Sequence, residues 1–292
     1  MITHPDKVLF PDDGITKGDV AAYYEAVAPV MLPHLRGRPI TMERYPAGIG
    51  AKGFWQKDVS KGFPPWLERV EVAKKDGVVH HAVVDDLRAL LWVANQNTIT
   101  QHVWPARRPH LDRPDLCVFD LDPANDDDAA GVRTAALALR DLLGELGLRS
   151  WIKTTGSKGF HIVVPLDGKS TTGQAARFAD AVGRLAVRLA PDTLTQEFAK
   201  ADRGGRIYMD TGRNGYSATF AAPYTLRARR GAAVSAPCTW EEIEDGTVHP
   251  GSFTLRTMRD RMDAVGDPWA DLQAGGQSLK GPVAAVRTRL SA

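Results

Sequence analysis

Residues 116–122 read LCVFDLD, an almost unbroken apolar run that closes on two acids. Such a run specifies a strand, and the two-residue period of a strand sends the side chains of Asp120 and Asp122 to the same face. Carboxylates placed side by side repel. Burying even one ionised carboxylate without a partner costs several kcal/mol, on the order of a whole domain's stability. Positive charge is therefore required beside them. A divalent cation is the economical source, and an all-oxygen donor set favours Mg2+ or Mn2+ over zinc. The plainer reading is a strand end at which one Asp caps a turn and the other faces water. Asp210 weighs against it. This residue ends a second strand-like stretch, IYMD, before the polar turn TGRNG. A third acid from a neighbouring strand would complete a two-metal cluster, in which ions about 3.5–4 Å apart activate an attacking oxygen and stabilise a leaving one.

The stretch TTGSKGFHIVVPL, residues 154–166, points to the substrate such acids would serve. It reads as two strands joined by a GSKG turn. Gly156 and Gly159 allow a tight turn whose N–H groups can face an oxyanion. Lys158 adds a charge, Ser157 a hydroxyl and His161 a ring N–H. Read alone, the same residues also suit a plain hairpin with a histidine at the start of its second strand. Arg227, after APYTL, is placed to reach a triphosphate, and His102, in NTITQHVW, to face the same cleft. His80, His81, His110 and His249 show no metal-ligand spacing and read as surface residues.

Bulk properties narrow the class. With 292 residues, 43% hydrophobic and 25% charged, the chain has enough apolar material for a substantial core. A net charge of only +2 gives little hint of nucleic acid, but its distribution does. Between Lys200 and Arg230 lie seven basic residues (Lys200, Arg203, Arg206, Arg213, Arg227, Arg229 and Arg230) against the two acids Asp202 and Asp210. That local excess suits an anionic partner, or else a solvated loop surface. Cys117 and Cys238 form no CxxC, and neither a disulfide framework nor a cysteine zinc site is expected. No signal-peptide core opens the sequence and no apolar run approaches ~18 residues, so a cytoplasmic location without a membrane partner is expected.

The coarse pattern is α+β. Thr16 with Asp19 signals a helix start, and that helix is expected to kink or end at Pro29. Strands are expected over 39–45, 68–73, 116–121, 150–155, 160–166 and 206–209, with another near 218–222. Asp85 and Asp86 precede a helix. The acidic turn Asp126-Asp127-Asp128 precedes another, ending near Gly147. A further helix runs from about Thr172 to Ala190, and two short ones are expected near Glu241 and Leu255. Long helices between locally pairing strands imply an α+β domain around mixed or antiparallel sheets.

Taken together, DKVLFP…ITK, MERYPAGI…GFWQK, FDLDP, TGSKGFH, the strand ending in Asp210 and APYTLRA occur in one order. In that order they resemble the polymerase domain of bacterial ligase D, a branch of the archaeo-eukaryotic primase superfamily. The resemblance covers nearly the whole chain. It implies a primase-like fold in one catalytic domain, 1–292, with a DNA-binding part over about 1–113, a catalytic core over about 114–240 and a helical tail over about 241–292. It also implies a polymerase that extends a DNA 3′ end with NTP or dNTP, at gaps or breaks, in non-homologous end joining or gap-filling repair.

The resemblance assigns roles residue by residue. Asp120, Asp122 and Asp210 bind two Mn2+ or Mg2+ ions. Thr155, Lys158, His161, His102 and Arg227 meet the incoming nucleoside triphosphate, and Ser157 joins them as a nucleotide-binding candidate from its place in the turn rather than from the resemblance. Lys7 and Lys17 hold the 5′-phosphate beyond a gap, and Phe54 and Trp55 stack near the template. The residues themselves bear on this. Lys7 and Lys17 flank a turn, and Phe54-Trp55 lies between Lys52 and Lys57, an aromatic-plus-basic arrangement suited to bases and backbone. A core pair covered by lysine stems is the alternative there. Two positions depart from the pattern. Thr155 stands where Ser is usual, and Thr211-Gly212-Arg213-Asn214 replaces an aromatic-x-Gln-Asn turn, which leaves sugar or template contacts there open. The sequence carries no ligase or phosphoesterase module of the kind often fused to such domains. A Ku-like end-binding protein and a DNA ligase are the partners implied, and a bacterial, nucleoid-associated location. A metal-dependent nuclease or phosphoesterase, or a non-catalytic DNA-end-binding module, would use the same acids differently.

Overall fold

The computed structural model describes residues 2–59, 62–74, 77–125 and 128–292. Contacts divide the chain into two compact units. Unit 1 comprises Met1–Pro109, Thr219–Ala236 and Phe253–Asp267, and unit 2 comprises His110–Ala218, Pro237–Ser252 and Pro268–Ala292. Sequence order and unit membership thus interleave after residue 218.

Unit 1 opens with a hairpin, β1 (Val8–Phe10) against β2 (Ile15–Thr16), whose Leu9, Phe10 and Ile15 are buried. Helix α1 (Lys17–Leu35) starts at a capping box. The Thr16 hydroxyl accepts from the Asp19 backbone N–H at 3.2 Å, and the Asp19 carboxylate accepts from the Thr16 N–H at 2.8 Å. The helix does not end at Pro29: it continues through Pro29 and Pro33 to Leu35. A proline inside a helix removes one hydrogen bond and crowds the preceding turn. Burial of Val27, Ala28, Met31 and Leu35 outweighs that local cost, each large apolar side chain contributing roughly 1.5–3 kcal/mol. The main sheet is antiparallel and combines β3 (Ile40–Arg44), β4 (Phe54–Gln56), β7 (Thr98–Val103) and β13 (Phe220–Ala221) in the order β13-β7-β3-β4. A second hairpin pairs β5 (Arg69–Lys74) with β6 (Gly77–Ala82), and α2 (Leu87–Asn95), capped by Asp86, and α6 (Met258–Val265) complete the unit. His81 is not a surface residue. It occupies an inward position of β6, is buried, and shares a hydrogen bond between its Nδ1 and the Ile40 carbonyl at 3.0 Å.

Unit 2 is built on six strands: β8 (Leu116–Asp122), β9 (Trp151–Thr154), β10 (Phe160–Pro165), β11 (Leu194–Thr195), β12 (Ile207–Asp210) and β14 (Pro237–Cys238). Their order is β11-β12-β8-β10-β9-β14, antiparallel except for β11 with β12. The apolar run of β8 makes it a central strand, since Leu116, Cys117, Val118, Phe119 and Leu121 are all buried. Helices α3 (Ala129–Glu145) and α4 (Thr172–Leu189) pack on this sheet. Asp128 caps α3 by accepting from the Gly131 N–H at 2.9 Å, while Asp126 and Asp127 lie outside the described residues. Helix α5 (Trp240–Glu244) falls where a short helix is expected. The final helix, α7 (Lys280–Ser291), falls within the stretch expected as a helical tail, beyond the two short helices expected there. Its Pro282 lies in the first turn, where a missing N–H breaks no helical bond.

The register of this sheet sets up the site. His161 pairs with Asp120 on one side and Lys153 on the other, and Asp210 pairs with Asp120. Directly opposed residues share a face. Lys153, His161, Asp120 and Asp210 therefore form one transverse row across β9, β10, β8 and β12. Asp122 lies on the same face, two residues along β8.

Candidate active site

Each carboxylate oxygen of the three acids has a partner. Asp120 presents Oδ1 to His161 Nε2 at 3.5 Å and Oδ2 to the Arg213 guanidinium at 3.2 Å. Asp122 presents Oδ1 to Lys158 Nζ at 3.3 Å and Oδ2 to Arg203 Nη1 at 3.1 Å. Asp210 accepts from the Gly212 backbone N–H through Oδ1 at 2.8 Å and meets Arg213 through Oδ2 at 3.0 Å. Three negative charges thus face the three cations Arg203, Arg213 and Lys158. The positive charge demanded by the acid-ended strand is supplied in part by the chain itself.

Two of those cations belong to the basic stretch 200–230, which therefore does not simply face an outside anion. Arg203 is buried, donates to the Glu197 and Phe198 carbonyls at 3.2 and 3.0 Å, and lies over the Tyr208 ring. Arg213 is thrown across the acids by the turn after β12. Asn214, also buried, anchors that turn by accepting from the Val118 N–H at 2.8 Å and donating to the Val118 carbonyl at 2.7 Å. Its amide continues the pairing with β8 as another strand residue would. Sequence reasoning missed Arg203, Arg213 and the buried Lys153. The signal available was the unusual Arg in the turn following the third acid.

The GSKG turn sits directly on the end of β8. A Cβ at Gly159 would stand 1.8 Å from the Leu121 carbonyl oxygen, so only glycine permits this approach. Gly156 has a φ of 64°, in the left-handed region that favours glycine. The Thr155 hydroxyl donates to the Gly159 carbonyl at 3.0 Å and accepts from the Ser157 and Gly159 N–H groups, each at 3.2 Å. Thr155 thus holds the shape of the turn. Lys158 donates to the Pro123 carbonyl at 2.8 Å as well as meeting Asp122.

Burial raises the Asp120 carboxyl's proton affinity, but the His161 ring, then Arg213 and Lys153, outweigh it and hold the group well below the carboxylate range. Burial, reinforced by the charge of Lys153, lowers His161 to about 4, so at neutral pH its ring is uncharged and donates to Asp120. Asp210 is raised, first by burial and then by Asp120 and Asp122, against the pull of Arg213. The three acids repel one another as their shared face requires.

The remaining sequence-selected residues lie in unit 1. His102 is buried in β7, with Nε2 at 3.5 Å from Glu43 Oε2 and its ring 4.4 Å from that of Trp55. Glu43 also accepts from the Tyr45 hydroxyl at 2.6 Å. Burial disfavours its charge, but the bonds from His102 and Tyr45, with Arg227 beyond, lower Glu43 to about 2. Glu43 has no place in the sequence reading; it lies within MERYPAGI without a feature that singles it out. Phe54 and Trp55 are 45% and 56% exposed, which removes the covered core pair as an option, and Lys52 is exposed beside them. Lys7 and Lys17 line one cleft of about 610 Å3 with Thr3, His4, Asn95 and Asn97. The Lys17 N–H donates to the Lys7 carbonyl at 2.8 Å, which fixes their spacing, and burial followed by the charge of Lys7 lowers the Lys17 amine.

Residues 16–269 match the LigD primase-polymerase domain. The chain belongs to the LigD primase-polymerase domain family. It is 35% identical over 275 residues to the multifunctional non-homologous end joining protein LigD of Mycolicibacterium smegmatis, covering 94% of this chain and 36% of that protein. It is 32% identical over 291 residues to the LigD of Pseudomonas aeruginosa, covering 99% of this chain and 34% of that protein. The bifunctional LigD of Bacillus subtilis is 30% identical over 291 residues, covering 99% of this chain and 46% of that protein. The chain thus spans about a third to a half of these relatives' length. The solved polymerase domain from Mycobacterium tuberculosis ligase D in complex with DNA aligns with a TM-score of 0.88 at 34% identity, over 95% of this chain and 99% of that one. The expected α+β, primase-like fold is the fold observed.

A LigD primase-polymerase domain is a nucleotidyl-transferring polymerase, and the family implies a divalent metal. The donor chemistry here fits one: three oxygen-only side chains on one face of two paired strands, with Asp210 raised by burial and then by the neighbouring acids. Among the described residues, no three His, Cys, Asp or Glu side chains are already gathered into a liganding group. The present rotamers turn the three acids onto Arg213, Arg203, Lys158 and His161 instead. Among the described residues, no helix is long and apolar enough to cross a membrane.

Proposed function

We propose that this domain adds nucleotides to a DNA 3′ end at gaps or double-strand breaks, drawing on NTP or dNTP, and that its chemistry resides on the β8–β12 face. The observation that carries the reading is the row of Asp120 and Asp210 in register, with Asp122 beside them on one face. These three would hold two divalent ions, Mn2+ or Mg2+, which supply Lewis-acid activation of the primer 3′-hydroxyl and of the departing pyrophosphate. The chain's own groups do the rest. Neutral His161 donates to Asp120 and fixes the orientation of its carboxylate. Lys158, on a turn held by Thr155 and pressed onto β8 by Gly159, brings a positive charge for the nucleotide's phosphates, with Ser157 beside it.

Lys7 and Lys17 support recognition of a 5′-phosphate, since both line one cleft at the start of α1. Exposed Phe54 and Trp55, with Lys52, suit stacking on template bases. The relatives' names place them in non-homologous end joining, and that pathway, a Ku-like end-binding protein, a ligase and a site of action at the bacterial nucleoid are what we infer for this chain.

The test is extension of a gapped duplex carrying a 5′-phosphate, comparing NTP with dNTP and Mn2+ with Mg2+. Metal-dependent extension is expected. Lys7→Ala with Lys17→Ala is expected to abolish the preference for the phosphorylated gap and to flatten the log–log salt dependence of binding by about 2. Hydrolysis of DNA without nucleotide, or binding without extension, would overturn the reading.

A further inference from the structure

Arg213 holds both acids that pair across the two strands. Its guanidinium bonds Asp120 Oδ2 at 3.2 Å and Asp210 Oδ2 at 3.0 Å. Those oxygens are donors that a divalent cation at this face would also use. The cations of the cluster are not equally tied. Arg203 is 6% exposed, sits over the Tyr208 ring and spends two further nitrogens on backbone carbonyls. Lys158 is 16% exposed and also bonds the Pro123 carbonyl. Arg213 is 40% exposed, and the bonds found for its side chain end on Asp120 and Asp210. The turn that carries it is anchored by the neighbouring Asn214, so the guanidinium can leave without unpairing β12 from β8.

Charge points the same way. Three carboxylates meet Arg203, Arg213 and Lys158, with the Lys153 charge in the same row, so the chain's own cations already more than balance the acids and an added divalent ion leaves the face strongly positive unless one cation withdraws. An arginine is a demanding occupant to displace: charge-assisted bonds to carboxylates are about twice as strong as neutral ones.

We propose that Arg213 is a built-in competitor for the metal site: a divalent cation binds only by displacing the Arg213 guanidinium from Asp120 and Asp210, so that Arg213 sets the metal affinity of this domain. The proposal rests on the reading of these acids as metal ligands. Arg213 acts through those acids, as a positioning and affinity-setting residue rather than a group that touches the reacting atoms.

The experiment is calorimetric titration of the whole chain with Mn2+ alone, at fixed ionic strength, for the natural protein and for Arg213→Gln, Arg213→Lys and Asp120→Asn. Arg213→Gln is expected to bind Mn2+ about tenfold more tightly, since a competing charge is gone. Arg213→Lys keeps the charge but loses the fork that spans both acids, and is expected to bind Mn2+ more tightly than the natural protein and less tightly than Arg213→Gln. Asp120→Asn is expected to weaken binding more than tenfold. Unchanged or weaker binding by Arg213→Gln, with Asp120→Asn still impaired, overturns the competitor role and leaves the metal reading standing. Undiminished binding by Asp120→Asn overturns the metal reading and the proposal with it. Should Arg213→Gln be unfolded, Mn2+ is expected to restore its far-ultraviolet circular dichroism by replacing the lost charge, and failure to do so also overturns the proposal.

Discussion

Each unit carries a buried histidine set against a carboxylate at 3.5 Å, His161 with Asp120 in unit 2 and His102 with Glu43 in unit 1. Their surroundings separate them. Glu43 is satisfied locally: His102 and the Tyr45 hydroxyl reach it from the same sheet face, and its carboxyl is held at about 2. Asp120 shares its face with Asp122 and Asp210, and the strands alone cannot neutralise three carboxylates. Arg203, Lys158 and Arg213 come from loops outside the sheet to do so. A single acid–histidine pair is a self-contained structural unit. A cluster of acids imports positive charge, and a site built that way can exchange one cation for another.

The largest structural effect should come from breaking the unit 2 face at its tightest approach. Gly159→Ala would place a methyl against the Leu121 carbonyl, where a Cβ stands only 1.8 Å away. The GSKG turn must then lift off β8, at a cost of more than about 3 kcal/mol in urea unfolding. A loss below about 1 kcal/mol would show that the turn is not seated there.

A smaller and pH-dependent effect is expected in unit 1. Glu43 is lowered from 4.5 to about 2. The unfolded chain therefore binds the proton first, and the stability tied to the ionised form is complete above about pH 4.5 and lost as the pH falls towards 2. Glu43→Gln should cost about 2 kcal/mol at pH 6, and the gap from the natural protein should close progressively below pH 4.5. A gap independent of pH would mean that the charge on Glu43 contributes nothing to the fold.

The comparison also explains what the sequence could reveal. Asp120 and Asp122 were legible because a strand's period is local and an apolar run ending in acids is conspicuous. Asp210 was legible as the end of another strand. Thr16 with Asp19, and Asp86, were legible as caps because capping acts within three residues. Arg213 was not, since its position over the acids depends on β12 pairing with β8 and on Asn214 binding Val118, 96 residues away in the chain. Arg203 was read only as part of a basic stretch, although its guanidinium is turned inward onto Asp122. The course of α1 past Pro29 and the burial of His81 were hidden for the same reason: both are decided by what packs against them, and neither proline nor histidine announces its neighbours.

The central claim is that unit 2's acid face carries the chemistry while Glu43 of unit 1 supports structure by holding His102 and Tyr45. It is tested most directly by single-turnover extension of a gapped, 5′-phosphorylated duplex with Mn2+, comparing Asp120→Asn with Glu43→Gln at pH 7.5. Asp120→Asn is expected to lose about a thousandfold or more in rate while remaining folded, and Glu43→Gln to lose about tenfold or less. Comparable losses in the two variants, or near-natural extension by Asp120→Asn, would contradict the account.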